Sequence, residues 1–181
     1  MSYSSQNLTE LPSLPNTLTL LYCFNNRLTR LPEQLPKILK YLYCDNNRLT
    51  RLPEHLPDSL TALYCYSNRL TKLPEQLPNS LTDLYCSNNR LTKLPEQLPN
   101  SLIELSCINN CLTRLPEHLP NSLEVLLCSN NPFLSNWKNN LDWINENTSF
   151  INYKVLSKLQ TKLKKRSTYF NRDINRLCSV Y

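Results

Sequence analysis

The 181-residue sequence contains no glycine. That excludes the phosphate-binding loops that need glycine for close approach of the backbone, the P-loop and the dinucleotide fingerprint among them. It also means that turns have to be built from Asn, Asp, Ser and Pro. Histidine is nearly as scarce. His55 and His118 are the only two, and no His-Glu-x-x-His motif is present. No apolar run approaches the roughly 20 residues needed to span a bilayer. The opening MSYSSQNLTE has neither the basic nor the apolar region of a secretory signal. These absences predict a cytosolic, non-enzymatic protein with no catalytic residue, no cofactor and no metal.

What is present is a repeat. Leu81 to Ser101 reads LTDLYCSNNRLTKLPEQLPNS; the stretch before it reads LTALYCYSNRLTKLPEQLPNS and the stretch after it LIELSCINNCLTRLPEHLPNS. Cys23, Cys44, Cys65, Cys86, Cys107 and Cys128 recur every 21 residues, and Asn26, Asn47, Asn68, Asn89, Asn110 and Asn131 keep step with them. Leu84 and Cys86 alternate with Asp83, Tyr85 and Ser87, the period-two pattern of a half-buried strand. A strand so short cannot bury its face alone, but stacked on its copies at about 4.8 Å it forms a parallel sheet. Asn89 stands where the chain must turn, and its inward amide can satisfy backbone groups buried there. Leu91, Leu94 and Leu98 point back inside. Pro95 and Pro99 make the return path extended, like polyproline, rather than helical. Each buried leucine contributes about 1.5–3 kcal/mol.

The unit L-x-x-L-x-C-x-x-N-x-L-x-x-L-P-x-x-L-P-x-S resembles a leucine-rich repeat with cysteine in the third leucine slot. The resemblance covers roughly residues 6–134. It implies a leucine-rich-repeat solenoid with a curved parallel β-sheet on its concave side and an extended convex side. The shorter L-P-x-L-P of residues 11–15 is similar to the repeats of secreted bacterial effectors. Some of those carry a ubiquitin-ligase domain after the repeats, but about 50 residues follow here, so that activity is not expected of this chain. The longer form, with its Cys- and Asn-rich strand ends, looks like repeat proteins of giant amoeba-infecting DNA viruses. Both resemblances imply a host protein as partner and a host cytosol as setting.

The predicted solenoid, 1–134, has a partial first coil, five full coils starting at Leu18, Leu39, Leu60, Leu81 and Leu102, and a sixth that breaks off after Pro132. A basic helical cap or tail, 135–181, follows. Leu134, Trp137, Leu141 and Ile144 have helical spacing, with Ser135 as N-cap. Ile151, Val155, Leu159 and Leu163 continue at steps of four, and Phe170, Ile174, Leu177 and Tyr181 suggest a third helix. Such a segment would cover the last coil, as open solenoids require. Residues 1–131 carry 11 Lys and Arg against 11 Asp and Glu, whereas residues 132–181 carry 9 against 3, so the net charge of +6 belongs to the tail.

Four sets of side chains are candidates for function. Outward strand positions form columns in which Tyr22, Phe24, Tyr41, Tyr43, Tyr64, Tyr66 and Tyr85 gather on coils one to four. An aromatic patch of this kind suits a protein partner, although a tyrosine ladder packed on itself is the structural alternative. Arg27, Arg48, Arg69 and Arg90 form one basic column and Arg30, Arg51, Lys72, Lys93 and Arg114 another. Glu33, Glu54, Glu75, Glu96 and Glu117 lie nearby, and the expectation is a self-neutralising charged rim. The cysteine ladder is expected to be apolar core, because parallel side chains suit neither tetrahedral zinc nor a disulfide. Lys162, Lys164, Lys165 and Arg166 in the tail are either the wet face of a capping helix or a contact for nucleic acid or an anionic membrane. The favoured expectation is a monomeric interaction protein that binds a partner on the tyrosine-lined face. The second is an adaptor acting through its basic tail.

Overall fold

In a computed structural model, residues 1–133 can be described. The expected tail, including Lys162, Lys164, Lys165 and Arg166, lies outside the described residues. Six three-residue strands form one parallel sheet in sequence order: β1 Leu20–Tyr22, β2 Tyr41–Tyr43, β3 Ala62–Tyr64, β4 Asp83–Tyr85, β5 Glu104–Ser106 and β6 Val125–Leu127. The register keeps the repeat in step. Leu21, Leu42, Leu63, Leu84, Leu105 and Leu126 are successive partners, as are Tyr22, Tyr43, Tyr64 and Tyr85. Each turn of this parallel solenoid therefore places equivalent side chains directly over one another. Between strands the chain returns through bends and turns, with no helix in residues 1–131.

The core is the set of inward positions read from the repeat. In coil two, Leu39, Leu42, Cys44, Leu49, Leu52 and Leu56 are all buried, and the same slots are buried in coils three and four. Strand pairing continues past each strand, with Cys44 N–H donating to the Tyr64 carbonyl at 2.8 Å and Cys65 N–H to that of Tyr85 at 2.9 Å. It runs through a residue in the left-handed region, where Asn25, Asn46, Ser67, Asn88, Asn109 and Asn130 have φ of 52–55°, and ends one residue later, as at Asn47 N–H donating to the Ser67 carbonyl at 3.3 Å. With no glycine available, asparagine is the residue best able to hold that conformation.

The asparagine that follows fastens one coil to the coil before it. Asn89 Oδ1 accepts from Leu70 N–H at 2.9 Å. Its Nδ2 is shared among the carbonyls of Cys65, Cys86 and Ser87 at 3.0–3.2 Å. Asn47, Asn68, Asn110 and Asn131 repeat the pattern. Asn26 applies it to the N-terminal segment, accepting from Leu8 N–H and donating to the Tyr3 carbonyl. That segment also covers the edge of β1, where Tyr22 N–H donates to the Met1 carbonyl and Tyr3 N–H to the Tyr22 carbonyl.

A second fastening was not expected from the sequence. Ser59, Ser80 and Ser101, at the last position of the repeat, place Oγ between two carbonyl oxygens 20 and 22 residues earlier, one closing the preceding coil and one opening their own, at 2.6–2.9 Å. The Pro-x-Ser-Leu turn there closes through the proline carbonyl, as in Leu81 N–H to Pro78 at 3.0 Å.

Candidate functional site

The tyrosine column is a stack. Tyr43 and Tyr64 have ring centroids 4.5 Å apart with planes at 12°, and Tyr64 and Tyr85 are 4.7 Å apart at 6°. Tyr22 and Tyr43 are 4.8 Å apart and tilted by 34°. These separations match the spacing of neighbouring strands, because each tyrosine is the register partner of the next. Phe24 closes the first end edge-on to Tyr22, at 6.1 Å and 87°. At the other end the Tyr85 hydroxyl donates to the Glu104 carboxylate. Ring faces are used up between neighbours, so the column offers ring edges and hydroxyls outward.

The other two aromatics stand beside this stack. Tyr41 is 43% exposed, the most open of the seven, and Ala62 in the next strand is buried beside it. Burial, and then the carboxylate of Asp45, raise the hydroxyl pKa of Tyr66; that carboxylate accepts from Asn46 Nδ2 at 2.8 Å. Asp45, Ala62 and Ser106 are buried although they occupy outward positions; short side chains there are overshadowed by larger neighbours in the adjoining strands. Partial burial, followed by the neighbouring tyrosines, raises the hydroxyl pKa values of Tyr43 and Tyr64. Burial and then the hydrogen bond to Glu104 raise that of Tyr85. All three are protonated donors at neutral pH. The outward columns carry Asp45, Asp83 and Glu104 and no lysine or arginine.

The inward thiols are chemically quiet. Cys23, Cys44, Cys65 and Cys86 are free and fully buried, whereas Cys111 is free and exposed. Burial pushes the Cys23 and Cys65 thiols up to about 12 and those of Cys44 and Cys86 well above their ordinary value. Thiolate, the reactive form, is therefore suppressed along the ladder. No group of three His, Cys, Asp or Glu side chains converges on a metal-sized site among the described residues.

The charged rim departs from expectation. Four of the five residues of one basic column pair with a glutamate of the coil before, and Lys72 forms no such pair among the described residues. Arg30 pairs with Glu10 at 3.0 Å, Arg51 with Glu33 at 2.7 Å, Lys93 with Glu75 at 3.2 Å, and Arg114 with Glu96. The other column, Arg27, Arg48, Arg69 and Arg90, has no ion pair among the described residues. A carboxylate can reach only the nearer column, and the sequence lists both columns without saying which is nearer.

His55 and His118 fall in one outward column with Gln76 and Gln97, as the repeat predicts. They line a shallow groove of about 680 Å³ on the return side, floored by Leu56, Leu77, Leu98 and Leu119. The 21-residue column of amides was its only signal in the sequence.

Comparison with known proteins agrees with this architecture. The family profile described as Leucine Rich Repeat matches residues 80–100. No curated protein matches the sequence. Among solved structures, YopM from Yersinia enterocolitica is 39% identical with a TM-score of 0.66, covering 69% of this chain and 27% of that one. YopM from Yersinia pestis, described as a leucine-rich effector protein, is 42% identical with a TM-score of 0.67, covering 71% and 36%. The chain thus spans about a third or less of either YopM. A Shigella effector LRR domain is 31% identical with a TM-score of 0.64, covering 91% of this chain and 75% of its own. With the six-fold register and buried leucine ladder described above, this last match shows that the chain belongs to the leucine-rich repeat family.

Proposed function

We propose that the chain is a non-enzymatic interaction module that holds a protein partner, one from a host cell, against Tyr22, Phe24, Tyr41, Tyr43, Tyr64, Tyr66 and Tyr85. The sheet face carrying them is the concave one in this reading. The observation that carries it is the in-register stack from Tyr22 to Tyr85. Rings already fixed by their neighbours lose little freedom on binding, which lowers the cost of association. The hydroxyls of Tyr22, Tyr43 and Tyr64 stand in a row that Tyr85 ends by donating to Glu104, and with Asp83 nearby the face suits a polar or basic segment of a partner. Similarity to effector LRR domains supports a host protein in that place, and the cytosol as setting suits the unpaired thiols of the ladder.

Tyr64→Ala combined with Tyr85→Ala tests the reading. The pair removes half of the stack without touching an inward residue. Proteins retained from host lysate by the wild type should be lost from the variant by about tenfold or more, as expected for two central aromatic anchors. Circular dichroism of both proteins establishes that the sheet survives. Equal retention by both proteins would remove the tyrosine face from consideration.

A further inference from the structure

The repeat generates two basic columns, and the fold treats them differently. Arg27, Arg48, Arg69 and Arg90 are all exposed and make no ion pair among the described residues, while four of the five residues of the parallel column, all but Lys72, are bonded to glutamates of the preceding coil. Their backbones are fixed in step, with N–H groups donating to the Leu8, Leu28, Leu49 and Leu70 carbonyls at 2.8–2.9 Å. Four arginine backbones are thereby held in a line at about sheet spacing, and guanidiniums as close as that would repel by about 1 kcal/mol even in water. Among the described residues no carboxylate offsets that charge. Cys111 occupies the next position of the column and makes the same backbone bond, to the Leu91 carbonyl at 2.9 Å.

We propose that the Arg27–Arg48–Arg69–Arg90 column is a second interaction surface, distinct from the tyrosine face, and that it receives a protein helix bearing a row of Asp or Glu side chains. Opposite charge is the first requirement; spacing selects the shape. A carboxylate once per helical turn recurs every 5.4 Å or so. Three such steps cover about 16 Å, against about 14 Å along the arginines. Flexible arginine side chains absorb that difference, and each can meet a carboxylate through two parallel hydrogen bonds. An extended acidic strand fits less well, because its same-face side chains are about 6.7 Å apart and drift past the column within three steps. The phosphates of a duplex wind away from a straight line of this length.

The test uses the full chain and fluorescence anisotropy with three labelled probes. These are a helical alanine-based peptide with glutamates on one face, a peptide of the same composition with glutamates spread around the helix, and a short DNA duplex. The one-faced helix should bind most tightly. Arg48→Gln with Arg69→Gln should weaken it five- to tenfold, about the contribution of two exposed charge pairs. Cys111→Arg should tighten it by lengthening the column, a gain that an unfolded variant could not mimic. Lys164→Gln with Lys165→Gln should leave it unchanged. The proposal is overturned if the one-faced helix does not bind, if its binding survives loss of Arg48 and Arg69, or if the spread peptide binds equally well. Tighter binding of the duplex, lost in the same double variant, would overturn it in favour of a nucleic-acid surface.

Discussion

From coil four to coil five the inward side chains do not change. Leu84, Cys86, Asn89 and Leu91 are followed by Leu105, Cys107, Asn110 and Leu112, and all eight are buried. The outward ones change together: Tyr85 gives way to Ser106, and Arg90 to Cys111. The backbone is indifferent to that exchange. Cys86 N–H still finds the Ser106 carbonyl at 2.8 Å, and Cys111 N–H finds that of Leu91 at 2.9 Å. Stacking the coils therefore dictates the inward sequence and leaves the outward sequence open. Four tyrosines and four arginines in register exceed what the stack requires, and that excess is what the two proposed partner surfaces rest on.

The contrast between inside and outside can be broken most forcefully at two adjacent asparagines. Asn89→Ala would orphan the Leu70 N–H and withdraw a donor from the carbonyls of Cys65 and Cys86, in a place water does not reach. The expected loss is about 3 kcal/mol or more, from several buried polar groups left unsatisfied at once. Asn88→Ala, one residue away and exposed, gives up only the left-handed preference and an amide contact, at a cost of about 1 kcal/mol. The shift in urea midpoint measures both. Equal shifts would mean that the inward amides are not what binds coil to coil.

Alkaline titration separates the same two layers by chemistry. The native state holds protons on the ladder thiols more tightly than the unfolded chain, since burial raises their pKa from an ordinary 9 to about 12 at Cys23 and Cys65. Between those values the unfolded state binds fewer protons, so stability falls as pH rises. The tyrosines add the same sign from about pH 10, where Tyr43, Tyr64 and Tyr85 of the stack and Tyr66 beside it resist ionisation. Urea midpoints should be flat between about pH 6 and 8 and drop steadily above about pH 9, by about 4 kcal/mol for each of Cys23 and Cys65 by pH 12, enough to unfold the chain. Phenolate absorbance should lag behind that of free tyrosine. A stack that titrates like free tyrosine would not be formed in solution.

Much of this architecture was legible because the repeat is read six times over. Leu84 and Cys86 declare themselves inward by alternation, and Asn89 by its place at the end of the strand. What the sequence could not display was distance between coils. Whether Arg51 or Arg48 meets Glu33 depends on how far each column stands from the return segment, and only the folded chain decides it. That the tyrosines would spend their ring faces on one another follows from a spacing of 4.5–4.8 Å, which favours stacking over a binding cleft between rings. The serine fastening at Ser59, Ser80 and Ser101 was visible as a recurring letter, but recurrence of a small hydroxyl does not distinguish staple from spacer.

The smallest effect sharpens the contrast most. Ser67 is the one residue other than asparagine at the left-handed position following a strand, with φ of 52°. On the far side of it, Asn109 Nδ2 donates to Asn88 Oδ1 at 2.7 Å, and Asn130 Nδ2 donates to Asn109 Oδ1 at 2.6 Å. Ser67 is too short to prolong that chain of amides. Ser67→Asn would relieve the backbone preference and give Asn88 Nδ2 an acceptor, for a gain of about 0.5–1 kcal/mol. Ser67→Gly should recover the backbone share alone, so the difference between the two variants isolates the amide contact. A gain from both places position 67 with the inward set, where departure from the repeat costs stability. A loss from both would place it with Tyr85 and Arg90, among residues kept for what they touch outside the chain.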